Sequence, residues 1–138
     1  MLSKDDIDCV RRTWAMAATN GEKASFAFYS KLFQFDPSTK TMFAGDLTLQ
    51  ARKLTETLSF IVDHLDDLDV LVPAAKDLAR RHVDYHVVAE HYKPVGAALI
   101  STFKQLLGAK FTSRDEEAWR NVYTILADVM IDAAYSNA

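Results

Sequence analysis

The sequence has few of the features that mark disulfide-rich, membrane-spanning or nucleic-acid-binding proteins. Its 138 residues include one cysteine, Cys9, so no internal disulfide can form, which is typical of a reducing compartment. The longest uncharged apolar run, 95–103, is about half of what a membrane span requires. No signal peptide precedes the polar segment 3–6. A net charge of −3 argues against a nucleic-acid-binding surface. We therefore expect a cytoplasmic protein with no membrane span and no nucleic-acid partner.

Glycine and proline are also scarce, at four and three residues, and no low-complexity linker divides the chain. Hydrophobic residues make up 49% and charged residues 25%, which is typical of a soluble globular protein. The length predicts a single domain over residues 1–138. No segment alternates apolar and polar residues as a half-buried strand does. Apolar residues recur instead at i, i+3, i+4 and i+7, which predicts an all-α fold.

Capping signals divide this pattern into about seven helices. A helix is expected to open at a serine with an acidic residue three positions later, or at an aspartate followed directly by proline. Gly108 is expected to end the sixth helix. The predicted helices start at Ser3 (with Asp6), Gly21, Asp36-Pro37, about Leu47, Pro73, Tyr92 and Ser113 (with Glu116).

Three polar residues interrupt the apolar stripes of three predicted helices. Tyr29, Gln50 and His82 each lie on a face expected to be buried, where a polar group needs a partner. A haem in an apolar pocket would provide one, because imidazole is a common axial ligand of haem iron. Each residue also has a purely structural interpretation, since buried histidines and tyrosines often bond to backbone or reach the surface. His82 and His86 could hold zinc, but no carboxylate or thiol at metal-site spacing accompanies them.

Taken together, the motifs resemble a globin, most closely the single-domain bacterial haemoglobins and the globin domain of flavohaemoglobins. The resemblance covers essentially the whole chain. The motifs that carry it are, in order, Phe28-Tyr29-Ser30-Lys31-Leu32-Phe33, Asp36-Pro37, Met42-Phe43, Gln50 with Arg52-Lys53-Leu54, Arg80-Arg81-His82, His91-Tyr92 with Val95-Gly96, and Ala118-Trp119 with Tyr123.

The resemblance implies a globin fold around a buried haem b, with His82 as the axial iron ligand. Tyr29 and Gln50 would donate hydrogen bonds on the opposite face, and Leu54 would form an apolar wall. The second ring nitrogen of His82 is expected to bond a backbone carbonyl near Leu78. The other implied haem contacts are Phe43 stacked on the ring, Lys53 and Arg81 near the propionates, Tyr92 touching His82, and Val87 and Val95 along the haem.

Two departures from flavohaemoglobins bear on function. No reductase module follows the globin-like region in this sequence, so we expect any reductase to be a separate protein. Alignment on His82 and Trp119 places Ala134 where flavohaemoglobins have a glutamate near the proximal tyrosine and histidine. The carboxylate that would partner Tyr92 is therefore missing.

These features favour a haem protein that binds oxygen reversibly and also takes nitric oxide and carbon monoxide. The alternatives are a nitric oxide dioxygenase that acts with a separate reductase, and a gas sensor. A haem-free helical interaction module is a further alternative, which a Soret absorption band would exclude. The sequence leaves the oligomeric state open.

Overall fold

Helices make up almost all of the computed structural model, which describes residues 2–19, 21–43, 47–84 and 89–135. No strand occurs within these ranges, so the predicted all-α fold is confirmed. The six α-helices are α1 (Lys4–Ala18), α2 (Gly21–Phe35), α3 (Leu47–Asp63), α4 (Leu68–Asp84), α5 (Tyr92–Leu107) and α6 (Ser113–Tyr135). Short 3₁₀-helices cover Pro37–Phe43, Ala89–His91 and Gly108–Lys110. Across the described residues, no helix combines the length and apolar character that crossing a membrane requires.

Several helix boundaries follow the predicted capping signals. Ser3 and Asp6 form the capping box at the start of α1, with the Ser3 side chain accepting from the Asp6 amide at 3.0 Å. The predicted third helix is the 3₁₀-helix that begins at Pro37, and the Asp36 side chain accepts from the Ser38 amide at 3.1 Å. Gly108 ends α5 with a φ of 55°, a left-handed conformation that glycine adopts without steric cost.

One predicted helix start and one predicted cap are wrong. α4 begins at Leu68, five residues before Pro73, which lies inside the helix on its exposed side. Leu71 is 3% exposed, and burying it stabilises the turn that precedes the proline. The cap of α6 uses Thr112 and Asp115 rather than Ser113 and Glu116. The Asp115 amide donates to Thr112 Oγ1 at 3.2 Å, and the Thr112 amide donates to Asp115 Oδ2 at 2.9 Å.

The core consists of two adjoining clusters of buried side chains. The larger joins all six α-helices, including α4 through Leu71, and an aromatic group of Trp14, Phe103, Phe111 and Trp119 lies within it. The smaller cluster joins α4, α5 and α6 through Ala75, Ala79, Tyr92, Ala127 and Met130. Tyr123 packs against both clusters. The side of α4 that carries His82 is therefore held by the small cluster, next to the main core.

Candidate functional site

His82 lies in the last turn of α4 and is half-buried. Its Nδ1 is 2.7 Å from the carbonyl oxygen of Leu78, one turn earlier, so the predicted hydrogen bond is confirmed. A carbonyl can only accept, so Nδ1 carries the proton and Nε2 carries the lone pair. Burial lowers the pKa of His82 from its ordinary value, the Leu78 carbonyl raises it, and the charge of Arg81 lowers it. The net result is a neutral imidazole, the form that coordinates metal ions.

A cavity of about 290 Å³ lies between α3, α4 and α6 and reaches Leu78. Most of the side chains that line it are apolar, and Arg81 adds a cationic group. The lining residues are Glu56, Thr57, Phe60, Ile61, Leu71, Ala74, Ala75, Leu78, Arg81, Leu126 and Met130. Haem is a flat apolar ring that carries two carboxylates at one edge. The apolar lining suits the ring, the Arg81 guanidinium suits a carboxylate, and the neutral His82 imidazole, one turn from Leu78, suits the iron. The residues present therefore fit a haem.

The two predicted donors, Tyr29 and Gln50, lie next to each other. The Tyr29 side chain is 4% exposed, and its hydroxyl donates to the backbone carbonyl of Gln50 at 3.3 Å. Burial raises the pKa of Tyr29 to about 12, so the phenol keeps its proton at any physiological pH. Gln50 is half-buried in the first turn of α3, and Leu54, one turn on, packs against the main core. This arrangement places a protonated phenol, an amide and an aliphatic wall on one side of the bundle.

The first turn of α5 carries Tyr92 and Val95, two further residues of the predicted site. Tyr92 is 8% exposed and belongs to the small core cluster, whereas Val95 is half-buried against the main core. Ala134, the residue in the place of the flavohaemoglobin glutamate, packs against the same small cluster as Tyr92. The structure thus brings Tyr92 and position 134 to one cluster.

The remaining predicted contacts lie on the surface or outside the described residues. Lys53 and Arg81 are exposed, and Arg81 also lines the cavity. Their contacts with propionates stay a prediction. Val87 lies outside the described residues, and Phe43 is described only as the last residue of its 3₁₀-helix.

The sequence interpretation gave no role to Tyr123, which the structure places beside the site. Its hydroxyl donates to the backbone carbonyl of Tyr92. Tyr123 follows Trp119 by four residues on α6, so its inward orientation was readable from helical spacing. Its hydrogen-bond partner Tyr92 could not be predicted from spacing, because that contact joins two helices.

The Globin family model matches residues 26–130, which is most of the chain, and the protein belongs to the globin family. The flavohemoprotein of Vibrio cholerae is 30% identical over 135 residues, which cover 96% of this chain and 34% of that protein. The flavohemoprotein of Bordetella bronchiseptica is 30% identical over 137 residues, 95% of this chain and 33% of that protein. The chain thus spans about a third of the length of these curated relatives.

Two solved structures share the fold over nearly the whole chain. A bacterial globin from Campylobacter jejuni aligns with a TM-score of 0.82 at 26% identity, covering 96% of each chain. A protein from Rhodothermus marinus, described as an engineered carbene transferase and candidate nitric oxide dioxygenase, aligns with a TM-score of 0.86 at 25% identity. That alignment covers 97% of this chain and 94% of the other.

Proposed function

We propose that this globin binds haem b through His82 and holds oxygen reversibly. The observation that carries the proposal is the His82 imidazole, whose Nδ1–H is fixed by the Leu78 carbonyl so that Nε2 keeps its lone pair, while Leu78 itself lines the apolar cavity. Covalent attachment of a c-type haem uses two cysteines, and this chain has one. A non-covalent haem b is therefore the form that suits the sequence.

Haem supplies an iron to which oxygen, nitric oxide or carbon monoxide coordinates. The chain's own residues then set which gas is held and for how long. The Tyr29 phenol stays protonated and would donate its one hydrogen to a polar diatomic ligand in place of the Gln50 carbonyl, and the Gln50 side-chain amide would be a second donor. Leu54 and its apolar neighbours exclude water from the same side. Such a pocket favours oxygen over carbon monoxide, because oxygen accumulates more negative charge when it is bound.

Nitric oxide dioxygenase activity with a separate reductase is the second candidate function. The similarity to flavohemoproteins and to the Rhodothermus marinus protein favours it. Ala134 weighs against it, because a carboxylate at this position would add a proton acceptor near Tyr92 and make the proximal histidine more electron-rich. We therefore place reversible binding first.

Titration of the purified chain with haemin tests the proposal directly. We expect a Soret band that saturates at one haem per chain, followed by distinct ferrous, oxygen-exposed and carbon-monoxide-exposed spectra. A control titration in acid-unfolded protein measures haemin adsorption without a folded site. Absence of a saturating Soret change in the folded chain would contradict haem binding and leave a helical interaction module as the explanation.

A further inference from the structure

Three residues of α2 at a spacing of four contact α3, and they are Gly21, Ser25 and Tyr29. The hydroxyls of Ser25 and Thr55 lie 2.8 Å apart, and Thr55 Oγ1 also lies 3.3 Å from the Gly21 carbonyl oxygen. One turn farther along α2, the Tyr29 hydroxyl bonds the Gln50 carbonyl. The contact that holds Thr55 and the contact that holds the Tyr29 phenol are therefore neighbours on one helix face.

The hydrogen bonds of the Thr55 hydroxyl have a defined direction. Besides the Gly21 carbonyl, its Oγ1 lies 3.0 Å from the carbonyl oxygen of Ala51, one turn earlier on α3. A hydroxyl has a single hydrogen and carbonyls can only accept, so Thr55 donates to these carbonyls and the Ser25 hydroxyl donates to Thr55. Ser25 is 4% exposed, so water does not compete for this bond. Thr55 thus joins the first turn of α2 to the backbone of α3 next to Gln50.

Gly21 allows Thr55 to come this close to α2. A Cβ added at position 21 would lie 2.8 Å from Cγ2 of Thr55, closer than real Cβ contacts. Relief would require a shift of α2 away from α3, or a rotation of Thr55 about its Cα–Cβ bond that moves Oγ1 away from the two carbonyls. The separation of α2 and α3 at this crossing therefore depends on Gly21 and Thr55 together.

The crossing of α2 and α3 positions the Tyr29 phenol more firmly than the phenol's own bond does. The distance of 3.3 Å from the Tyr29 hydroxyl to the Gln50 carbonyl exceeds the usual distance of about 2.7–2.8 Å for a hydroxyl donor to oxygen. The Ser25–Thr55 bond, one turn earlier, has the usual length of 2.8 Å. A long bond is also one that the phenol can exchange for a bond to an incoming ligand.

We propose that Thr55 is a positioning residue that sets the reach of the Tyr29 phenol towards a bound diatomic ligand. It holds α2 and α3 so that the phenol lies near the Gln50 carbonyl without being locked to it, and the phenol hydrogen is then available to a polar ligand. The proposal rests on the haem-binding function proposed above. It adds a residue on which the preference for oxygen over carbon monoxide depends through Tyr29.

The test compares Thr55→Val with Thr102→Val. Valine keeps the branched shape of threonine and removes the hydroxyl. Thr102 Oγ1 donates to the Ala98 carbonyl at 2.7 Å, so Thr102→Val removes a buried hydrogen bond within α5 alone. Gly21→Ala disturbs the crossing from the α2 side and leaves every hydroxyl in place. Thr55→Ser keeps the hydroxyl and serves as the conservative variant.

The first measurement does not depend on haem. Carbon NMR of the chain as purified, with tyrosine labelled at Cζ, reports the hydrogen bonding of each phenol, and loss in Tyr29→Phe identifies the Tyr29 signal. We expect Thr55→Val and Gly21→Ala to move this signal, and Thr55→Ser and Thr102→Val to leave it in place. A Tyr29 signal that neither Thr55→Val nor Gly21→Ala moves overturns the positioning role.

The second measurement is gas dissociation from the haem-loaded variants by stopped flow. We expect Thr55→Val to release oxygen roughly 3- to 10-fold faster, as for loss of one neutral hydrogen bond, and to change carbon monoxide release much less. Thr102→Val should match the parent. In the Tyr29→Phe background there is no phenol hydroxyl to position, so Thr55→Val should have no further effect.

Two kinetic outcomes contradict the proposal. One is an oxygen dissociation rate that Thr55→Val leaves unchanged, and the other is an equal acceleration with and without the Tyr29 hydroxyl, which would mean that Thr55 acts on the fold in general. If the parent chain takes up no haem, the proposed function fails, whereas the NMR signal still decides whether Thr55 positions the phenol.

Discussion

At the scale of single residues, His82 and His64 make the same hydrogen bond in different surroundings. Nδ1 of His64 is 2.8 Å from the carbonyl of Phe60, four residues earlier, as Nδ1 of His82 is 2.7 Å from that of Leu78. His64 stacks on the Phe60 ring at 4.2 Å just after α3, beside the surface ion pair of Arg11 and Asp66. The hydrogen bond is thus common to both, and Phe60 lines the cavity as Leu78 does, so the choice of His82 as the iron ligand rests on the globin-like motif Arg80-Arg81-His82.

This pair provides a matched test of the axial ligand. We expect His82→Ala to lose haem at a normal yield of helical protein, with partial recovery in added imidazole, and His64→Ala to keep the parent spectra. Because haem binds only the folded chain, saturating haem should also raise the melting temperature of the parent and not that of His82→Ala. Absorption spectra and thermal melts of both variants give the answer. Parent-like spectra in His82→Ala would show that another residue holds the iron.

Tyr29 carries the second prediction at this scale. A hydrogen bond to a partly charged acceptor is worth about 1.5–3 kcal/mol, so Tyr29→Phe should speed oxygen dissociation roughly 10- to 100-fold. Carbon monoxide is less polar when bound and should respond much less. Stopped-flow dissociation with both gases is the measurement, and Phe33→Leu, which alters only a ring stacked on Tyr29, is the control. An unchanged oxygen off-rate would assign the donor role to Gln50 alone.

The same residue predicts how oxygen release depends on pH. Because burial raises the pKa of Tyr29 to about 12, the phenol remains a donor throughout the neutral and mildly alkaline range. The oxygen dissociation rate should therefore be constant between about pH 6 and pH 10. Dissociation that accelerates within this range would mean that the phenol ionises earlier than its burial implies.

How far the sequence predicts the site depends on whether a contact is local. The bond from His82 to Leu78 was expected from the resemblance to globins, and it spans a single helical turn, so it needs no contact between helices. The inward direction of Tyr29 followed from its stripe, but its bond to the Gln50 carbonyl joins two helices and required the structure. The close approach of Tyr123 to Gly96 also joins two helices and likewise required the structure. Sequence spacing specifies directions on one helix, whereas partners on another helix depend on how the helices cross.

At the scale of secondary-structure elements, α1 and α6 are joined by a reciprocal exchange of arginines. Asp6, the acid of the α1 capping box, accepts from Arg114 Nη2 at 2.7 Å. Asp115, the acid of the α6 cap, pairs with Arg12 of α1. Burial alone would raise the pKa of each aspartate, but hydrogen bonds from the arginine and the cap outweigh it and hold both pKa values below the ordinary value for aspartate. Each helix cap is therefore completed by a cation from the other helix.

Removing one of these carboxylates should lower the free energy of unfolding and should make that free energy depend less on pH in the acid range. Asp115 is 1% exposed, and a hydrogen bond to a charged group contributes about 1.5–3 kcal/mol, so we expect Asp115→Asn to lower the free energy of unfolding by about that amount. Asp66→Asn breaks an exposed pair, which solvent screens, and should cost much less. Urea unfolding at neutral pH measures both. Equal losses in the two variants would contradict the importance of the buried cap.

The pH dependence follows from the direction of the pKa shifts. A carboxylate with a lowered pKa in the folded state stabilises the fold above its unfolded pKa, and this contribution is lost as the pH falls through the folded value. The parent should therefore lose stability below about pH 4, and Asp115→Asn should lose less over the same range. Parallel curves of unfolding free energy against pH would mean that Asp115 is not responsible.

The wrong start predicted for α4 and the wrong cap predicted for α6 show which sequence signals were insufficient. Proline is common at a first helical position, but Pro73 lies five residues inside α4 because Leu71 has a buried site to occupy. Thr112 and Ser113 both have an acid three residues later, so sequence alone allowed two registers for the α6 cap. Arg12 pairs with Asp115, which decides in favour of the first. Contacts between helices thus determine which of two locally possible helix starts or caps is formed.

The contact of α5 with α6 also predicts a gain of function. Ala134→Glu would place a carboxylate against the cluster that contains Tyr92. If Tyr92 lies beside the haem ligand as proposed, the ferrous iron–histidine stretching frequency should rise, because a proximal carboxylate makes the imidazole more basic. Ala97→Glu, the same change at an exposed position of α5, is the control. Equal frequencies in the two variants would contradict the alignment of position 134.

At the scale of the whole molecule, turnover distinguishes an oxygen binder from a dioxygenase. We expect the haem-loaded chain with a nicotinamide cofactor to consume nitric oxide in one stoichiometric phase and then stop. Addition of a flavin reductase should sustain consumption if the two-component enzyme is the function. A nitric oxide electrode records both phases, with haem-free protein as the control. Sustained consumption of nitric oxide without the reductase would contradict reversible oxygen binding as the main function.

The exchange of arginines between α1 and α6 also determines how far from His82 a label attached ahead of α1 or after α6 would lie. It brings the start of α1 to the start of α6, whereas Ala134 lies twenty residues farther along α6, about 30 Å away at 1.5 Å per residue. That far end packs against Ala75, Ala79 and Tyr92. A fluorophore or fusion partner joined ahead of α1 would therefore emerge remote from the helix of His82. One joined after α6 would begin beside it, where energy transfer to a haem would be most efficient.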